Sequence, residues 1–225
     1  GGADDLRLAA DAYAEILDNY PYSRRRAEAL YGQGQLHVAA EDASAAAASF
    51  AAAVGEDPSS AVAPHAMSWW ARTAFQAGDT KQAVGLYQRL IAEYPSSELV
   101  GPTWKDLGLV YKSVGQIDDA ITALTRVDTA FAAWPKVQAE AADMLLAAGR
   151  LDDIDRRLQL PTALARAIAS GDKESVSELH YVLGRIAREN GDHDAELEHF
   201  TKVLASTENA DLASFARFFR GIAYY

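Results

Sequence analysis

The chain repeats a pattern of small and large apolar residues at a nearly constant interval. The clearest copy, WKDLGLVYKSVGQIDDAITALTRV, runs from Trp104 to Val127, and the preceding copy runs from Met67 to Pro95. Two matching glycines, Gly78 and Gly115, are 37 residues apart. A repeat of this length, with small and large apolar residues in register, predicts a stacked array of helical hairpins without one central core.

We divide the chain into five repeats, each with a first helix, A, and a second helix, B. The predicted repeats are 27–58, 64–95, 101–134, a divergent one at 135–160, and 177–208. A lone B helix at 3–22 and a lone A helix at 214–225 flank them. Residues 161–176 are predicted to be an irregular insertion with a short helix over 162–170, because Pro161 interrupts the pattern.

Certain positions, counted from the first residue of each repeat, have a predictable physical role. A small residue at position 8 lets helix A approach helix B, and a large residue at position 24 fills the adjacent space. A glycine at position 15, such as Gly78 or Gly115, is expected to end helix A in a left-handed turn. Proline at position 32, such as Pro58 or Pro95, ends helix B.

This pattern of residue types at fixed repeat positions closely resembles that of the tetratricopeptide repeat (TPR) family over nearly the whole chain. The resemblance implies an all-α, right-handed TPR solenoid of stacked helical hairpins. The closing segments Tyr20-Pro21-Tyr22-Ser23 and Tyr94-Pro95-Ser96-Ser97 are also similar to those of bacterial envelope TPR proteins. Those relatives are the outer-membrane-assembly lipoprotein and the Tol-Pal coordinator. They imply a periplasmic or cell-envelope location, with the cytoplasm as the alternative.

In TPR proteins the A helices line a concave groove through repeat positions 2, 5, 9, 12 and 13. The candidate groove residues are Tyr31, Gln35, His65, Trp69, Arg72, Phe75, Lys105, Leu109, Lys112, Lys136, Tyr181, Arg185 and Arg188. Cations next to aromatic rings suggest a protein or peptide partner with acidic and apolar side chains. Alternatively, the basic side chains only solvate an exposed face. A TPR carboxylate clamp is not expected, because Leu109 replaces the asparagine that the clamp needs.

Composition argues against several classes of partner. The net charge of −11 disfavours nucleic acid and an anionic membrane surface, which both attract basic proteins. The absence of cysteine excludes disulfides and thiolate metal sites. No apolar run approaches the roughly 18 residues that a membrane-spanning helix needs.

No pattern predicts catalysis, a cofactor or a metal site. The acidic pairs Asp118-Asp119 and Asp152-Asp153 begin B helices, where they complement the helix dipole. Glu196 and His199 share a helix face, but no second helix offers a matching pair of ligands, so a solvated charged face is expected there. We therefore predict a non-enzymatic scaffold or adaptor.

Two alternatives to a simple adaptor remain open. The chain could self-assemble into a homo-oligomer through exposed array ends, with Phe215, Phe218, Phe219 and Tyr225 as the stacking face. It could also be the regulatory region of a larger protein that carries an enzyme elsewhere. Gly1-Gly2 resembles a remnant of cloning or cleavage, so a signal peptide or lipid anchor could precede it.

Overall fold

Every element of the protein that the structure describes is an α-helix. The computed structural model covers the backbone of residues 2–223 and the side chains of residues 6–222, and no strand occurs there. The predicted all-α class, built from helical hairpins, is confirmed. Tyr224 and Tyr225, assigned above to the final half-repeat and to the stacking face, lie outside the described residues.

The chain divides after Val114 into two compact units. Unit 1 contains six helices: α1 (Gly2–Asn19), α2 (Arg26–Ala39), α3 (Ala43–Glu56), α4 (Ala63–Gln76), α5 (Thr80–Glu93) and α6 (Val100–Ser113). Each helix packs against the next one in sequence. Phe50, Met67 and Leu90 are fully buried between them. Because contacts come from sequence neighbours, the core of this unit runs along the stack.

Unit 2 contains seven described helices. They are α7 (Ile117–Leu124), α8 (Trp134–Ala147), α9 (Leu151–Arg157), α10 (Leu160–Ser170), α11 (Lys173–Glu189), α12 (His193–Ser206) and α13 (Ala210–Ala223). Trp134, Leu145, Leu179 and Phe200 are among its largest fully buried apolar side chains.

The turns that follow the A helices share one design. The glycines Gly78, Gly115, Gly149 and Gly191 all have positive φ, between 68° and 84°, as predicted for position 15. After several turns an aspartate caps the next helix: the carboxylate of Asp79 accepts from the backbone N–H of Gln82 at 2.9 Å. The first repeat differs, because Glu41 occupies position 15 with φ 59°.

The small residue at position 8 is required by close helix packing. A Cβ atom built on Gly34 would lie 2.5 Å from the ring of Phe50. On Gly184 it would lie 3.0 Å from the ring of Phe200. In both hairpins the ring at position 24 therefore fills the space that a side chain on helix A would need.

The segment around Pro161 is more regular than the sequence predicts. Pro161 lies in the first turn of α10, where its missing N–H costs nothing, and Gly171 ends that helix with φ 71°. The expected short helix over 162–170 is therefore present. It packs against both α8 and α11, whereas α9 is only seven residues long. We assign α10, and not α9, as the B helix that follows α8.

The Pro-containing closures are part of the packing. The hydroxyl of Tyr94 donates to the backbone carbonyl of Pro58, at 2.9 Å, and so joins two successive closures. The hydroxyl of Ser97 accepts from the backbone N–H of Leu99 at 3.2 Å within its own turn. None of the described helices has the length and apolar character needed to cross a membrane.

Candidate partner-binding faces

In unit 1 the A helices α2, α4 and α6 carry the residues expected at repeat positions 2, 5, 9, 12 and 13. We call the side of the A helices formed by these positions the groove face. On α2, the amide of Gln35 donates to the hydroxyl of Tyr31 at 3.1 Å. The ring of Tyr31 lies 6.4 Å from that of His65 on α4. Burial raises the pKa of Tyr31, and a hydrogen bond with Trp69 opposes that rise.

Trp69 links the groove face to the interior of unit 1. Its ring stacks on that of the fully buried Phe50, with centroids 6.1 Å apart and an angle of 18° between the planes. The guanidinium of Arg72 lies 5.0 Å from the centre of the Trp69 ring, within range of a cation–π interaction. Trp69 is half-buried, so its outer edge remains accessible to a partner.

Arg72 already has partners within the chain. Its guanidinium lies 3.4 Å from a carboxylate oxygen of Asp106 on α6. It also interacts with the hydroxyl of the buried Tyr87 on α5. The pKa of Tyr87 is raised to about 12; burial is the main cause, Asp106 also raises it, and Arg72 opposes the rise. Arg72 therefore ties three helices together, which is a structural role that the sequence did not indicate.

Lys105 and Lys112 of α6 differ from the other predicted groove cations. Neither forms a hydrogen bond or ion pair with any residue in the described part of the chain. With Leu109 they follow a spacing of four and then three residues, so all three project from one side of the helix. Phe75, at the end of α4, is half-buried.

In unit 2 the predicted groove cations are all paired. The ammonium of Lys136 lies 2.6 Å from Glu174 and 3.4 Å from Glu178, and the hydrogen bond with Glu174 raises the pKa of Lys136. Arg185 forms an ion pair with Asp143 and lies 5.6 Å from the centre of the Tyr181 ring.

Arg188 has two neighbours in the same unit. It lies 3.7 Å from the buried carboxylate of Glu196 and 4.9 Å from the centre of the Phe219 ring. Four of the six predicted groove cations are thus engaged within the chain. The expectation of an acidic partner rests on the remaining two, Lys105 and Lys112.

The face of α12 expected to be solvated is buried. Glu196 is only 1% exposed, although its neighbour His193 is exposed. Glu196 occupies repeat position 20, where three earlier repeats carry the fully buried Ala46, Ala83 and Ala120. The repeat geometry therefore buries whatever residue stands there.

A pair of histidines joins α11 to α12. The Nδ1 atoms of His180 and His199 are 3.0 Å apart, within hydrogen-bonding distance. Desolvation lowers the pKa of both side chains, that of His180 to about 4. Both imidazoles are therefore neutral at pH 7, with one Nδ1–H donating to the other Nδ1. Among the described residues no cluster of three or more ligand side chains could hold a metal ion.

Sequence reasoning expected Phe215 and Phe218 of α13 to be exposed, but it assigned them to a stacking face and did not include Ile222. Phe215, Phe218 and Ile222 are 54%, 61% and 42% exposed. Counted from Ser214, the first residue of the final half-repeat, they occupy positions 2, 5 and 9. Applying the groove positions 2, 5, 9, 12 and 13 to that half-repeat would have placed these three residues on the groove face.

This chain is similar to a known protein family in sequence and to several solved structures in fold. Models of the tetratricopeptide repeat match residues 2–61, 65–97 and 162–211, together well over half of the chain. No curated protein matches the chain significantly.

Among solved structures, YrrB, described as a TPR protein with an unusual peptide-binding site, is 16% identical, with a TM-score of 0.67 over 93% of this chain and 99% of YrrB. MamA is 21% identical, with a TM-score of 0.61 over 76% of this chain and 93% of MamA. PilW, described as a type IV pilus biogenesis factor, is 17% identical, with a TM-score of 0.59 over 95% of this chain and 91% of PilW. At these identities the likeness concerns the fold alone.

Proposed function

Because the chain belongs to the tetratricopeptide repeat family, we propose that it is a protein-binding scaffold that performs no catalysis itself. The TPR fold is typical of protein–protein interaction scaffolds. Stacked hairpins present a long surface of repeated helices, on which a partner contacts several repeats in turn. The groove face of unit 1 is the surface that we assign to this binding.

The observation that carries the proposal is the pair Lys105 and Lys112. Each is a cation without a partner among the described residues, and both stand on one side of α6. On α4 the accessible edge of Trp69 adds aromatic area to the groove face. Aromatic anchors beside unpaired cations suit a segment that combines acidic and apolar side chains.

The partner is therefore an extended or helical segment of another protein, with Asp or Glu facing α6 and apolar side chains facing α4. Arg72 contributes less to its recognition than Lys105 or Lys112, because Asp106 already neutralises the guanidinium. YrrB, which is similar in fold, is described as having a peptide-binding site. That description supports a peptide as the kind of ligand to test.

Selection from a library of displayed random 15-residue peptides provides the test. We expect peptides that bind the 225-residue chain to include a class rich in acidic and apolar residues. Charge reversal in the double variant Lys105→Glu/Lys112→Glu should weaken these peptides by about tenfold or more, because attraction becomes repulsion at two contacts. Fluorescence anisotropy measures the affinities, and thermal unfolding should change little because neither lysine is paired.

Lys81→Glu is the matched control. Lys81 is exposed on the B helix α5 and forms no ion pair with a described residue, so its reversal should leave affinity unchanged. An equal loss in this variant would show that net charge alone governs binding. If no acidic class is selected, or if Lys105→Glu/Lys112→Glu binds it as the parent does, the groove face of unit 1 is not an acidic-peptide site.

A bacterial cell-envelope location is a narrower part of the proposal. The Tyr-Pro-x-Ser closures support it, and PilW, similar in fold, is described as a pilus biogenesis factor. Fractionation of the source cells with an antibody against the chain tests it. Recovery in the periplasmic or membrane fraction is the expected result, and recovery only in the cytosol would contradict it.

A further inference from the structure

The same arrangement of four rings occurs in both units, at positions 150 residues apart. In unit 1 the rings are Tyr31, Phe50, His65 and Trp69, and in unit 2 they are Tyr181, Phe200, Phe215 and Phe219. The tyrosine lies 5.8 Å from the inner phenylalanine in unit 1 and 6.1 Å in unit 2. The stacked pair has centroids 6.1 and 5.4 Å apart, with angles between the planes of 18° and 16°. The helix α13 is therefore the structural counterpart of α4.

This correspondence shows which side of α13 carries its exposed apolar residues. Phe215 takes the place of His65, and it lies 6.4 Å from Tyr181, as His65 does from Tyr31. Phe218 and Ile222 follow at the places of Ser68 and Arg72, which are groove-face positions. We call Tyr181, Phe215, Phe218 and Ile222 together the aromatic groove.

The side of α13 that continues the stack has a different character. The buried Met67 and Ala71 of α4 correspond to Arg217 and Gly221 of α13, and both of these are exposed. Phe219 packs inward against Phe200 instead of standing free. The exposed phenylalanines thus do not form the stacking face that the sequence suggested; they form part of the groove face.

An acidic cavity adjoins the aromatic groove. It has a volume of about 460 Å³, and its charged lining residues are Asp172, Lys173, Glu174, Glu178 and Glu208. Glu178 precedes Tyr181 by one turn of α11, and Leu212, also in the lining, precedes Phe215 by one turn of α13. The cavity and the aromatic groove are therefore continuous along the same two helices.

Glu178 is a partly buried carboxylate at this junction. Its Oε2 atom is inaccessible to solvent and has no hydrogen-bond partner, while Oε1 lies 3.4 Å from the ammonium of Lys136. Burial is the main reason that the pKa of Glu178 is raised. The Glu178 side chain as a whole is 29% exposed and lines the cavity, so a basic group bound in the cavity comes close to this carboxylate.

We propose that the aromatic groove and the acidic cavity together bind a partner segment that carries apolar side chains and one Lys or Arg. The apolar side chains pack on Phe215, Phe218 and Ile222, and the basic side chain donates to Glu178. This inference rests on the proposed scaffold function and extends it to a second surface with the opposite charge preference. A second copy of this chain fits less well, since it would bring a net charge of −11 to a cavity whose charged lining residues are mostly carboxylates.

The same peptide library, selected on the 225-residue chain, tests the proposal. We expect a second class of peptides, with aromatic or aliphatic residues and at least one Lys or Arg. Phe218→Ser should weaken this class by about tenfold or more, because it removes an exposed aromatic anchor. Glu178→Gln should weaken it similarly by removing the charge without changing the size of the side chain.

Each variant has a matched control in unit 2. Ile168 on α10 is 59% exposed, so Ile168→Ser removes a comparable exposed apolar side chain away from the aromatic groove. Glu189→Gln removes an exposed carboxylate at the end of α11. Both controls should bind the second class of peptides as the parent does, and circular dichroism checks that all four variants remain folded.

The outcomes separate this inference from the scaffold proposal. Loss of the basic class in Phe218→Ser and Glu178→Gln, but not in Lys105→Glu/Lys112→Glu, supports the inference. Selection of the acidic class alone overturns it and leaves the scaffold proposal standing, while no selected peptides of either class overturn both. Concentration-dependent self-association that Phe218→Ser abolishes, measured by sedimentation equilibrium, would also overturn it, because the stripe would then be a contact between copies.

Discussion

At the scale of single residues, the repeat imposes a conformation or an environment, and the local sequence does not always suit it. Position 15 requires a left-handed backbone, and glycine meets this requirement at Gly78, Gly115, Gly149 and Gly191. Glu41 occupies the same position with φ 59°, which is unfavourable for a residue with a Cβ atom. Likewise Glu196 is buried because position 20 is an interior position, and Arg188 and His193 are its nearest charged or ionisable neighbours.

We expect Glu41→Gly to stabilise the protein by about 0.5–1 kcal/mol, since relief of the left-handed strain exceeds the entropy that glycine adds to the unfolded chain. Gly191→Ala should have the opposite effect, a loss of about 1 kcal/mol. No atom lies within 4 Å of a Cβ built on Gly191, so backbone conformation alone is responsible. Urea denaturation measures both; a stability loss in Glu41→Gly would mean that its side chain makes a favourable contact.

At the scale of helices, the α2–α3 and α11–α12 hairpins are each held by the fit of one ring against one glycine, and unit 2 adds a polar contact to this scheme. His180 stands at repeat position 4, where unit 1 has Leu30 and Met67, and its ring contacts His199 across α11 and α12. The charged neighbours of the pair are Glu198 and Lys202 on α12. Neutral imidazoles fit this interior contact, whereas imidazolium ions would not.

This contact predicts a loss of stability in mild acid. The pKa of His180 falls from 6.5 to about 4 on folding, so the unfolded chain binds more protons between these values. Stability should therefore fall as the pH drops from about 6.5 towards 4. His180→Leu, which places an apolar residue at position 4 as in the repeats of unit 1, should flatten this dependence relative to the parent.

Thermal unfolding followed by circular dichroism between pH 4 and pH 8 measures the effect. Titrating carboxylates contribute equally to parent and variant, so the difference between the two curves isolates the histidine. His37→Gln serves as the control, because His37 lies on α2, outside the α11–α12 contact, and should keep the slope of the parent. Parallel curves for His180→Leu and the parent would contradict the assignment.

At the scale of the whole molecule, the chain consists of two compact units that divide after Val114. The helices of unit 1 draw their packing from their neighbours in sequence, and α8, α10 and α11 of unit 2 also pack in succession. Stability in such stacks is a sum of local terms with nearest-neighbour interfaces. Division of the chain should therefore leave each part with most of the contacts that stabilise it.

We expect fragments 1–114 and 115–225, expressed separately, each to show a helical circular dichroism spectrum and a cooperative thermal transition. A random-coil spectrum from either fragment would contradict independent folding. The two classes of selected peptides test the same division. Acidic peptides should bind fragment 1–114, and basic peptides should bind fragment 115–225.

The sequence alone was enough to predict the repeat, the all-α class and the left-handed glycine turns. These properties depend on residues at fixed intervals, and every repeat presents the same physical requirement to the chain. Repeat positions 5 and 12 put Lys105 and Lys112 on one side of α6, and their role in binding stays a prediction. The sequence also predicted the short helix over 162–170, which lies within α10 (Leu160–Ser170).

Only the tertiary structure showed which of the predicted groove cations are paired with other residues in the described part of the chain. The pairings of Arg72 with Asp106, Arg185 with Asp143 and Lys136 with Glu178 join residues 34 to 42 positions apart, on helices that the sequence shows only as separate patterns. The same is true of the contact between His180 and His199 and of the cavity beside the aromatic groove. Periodicity states which side of a helix a residue occupies, but the partner across the interface depends on how neighbouring helices are placed.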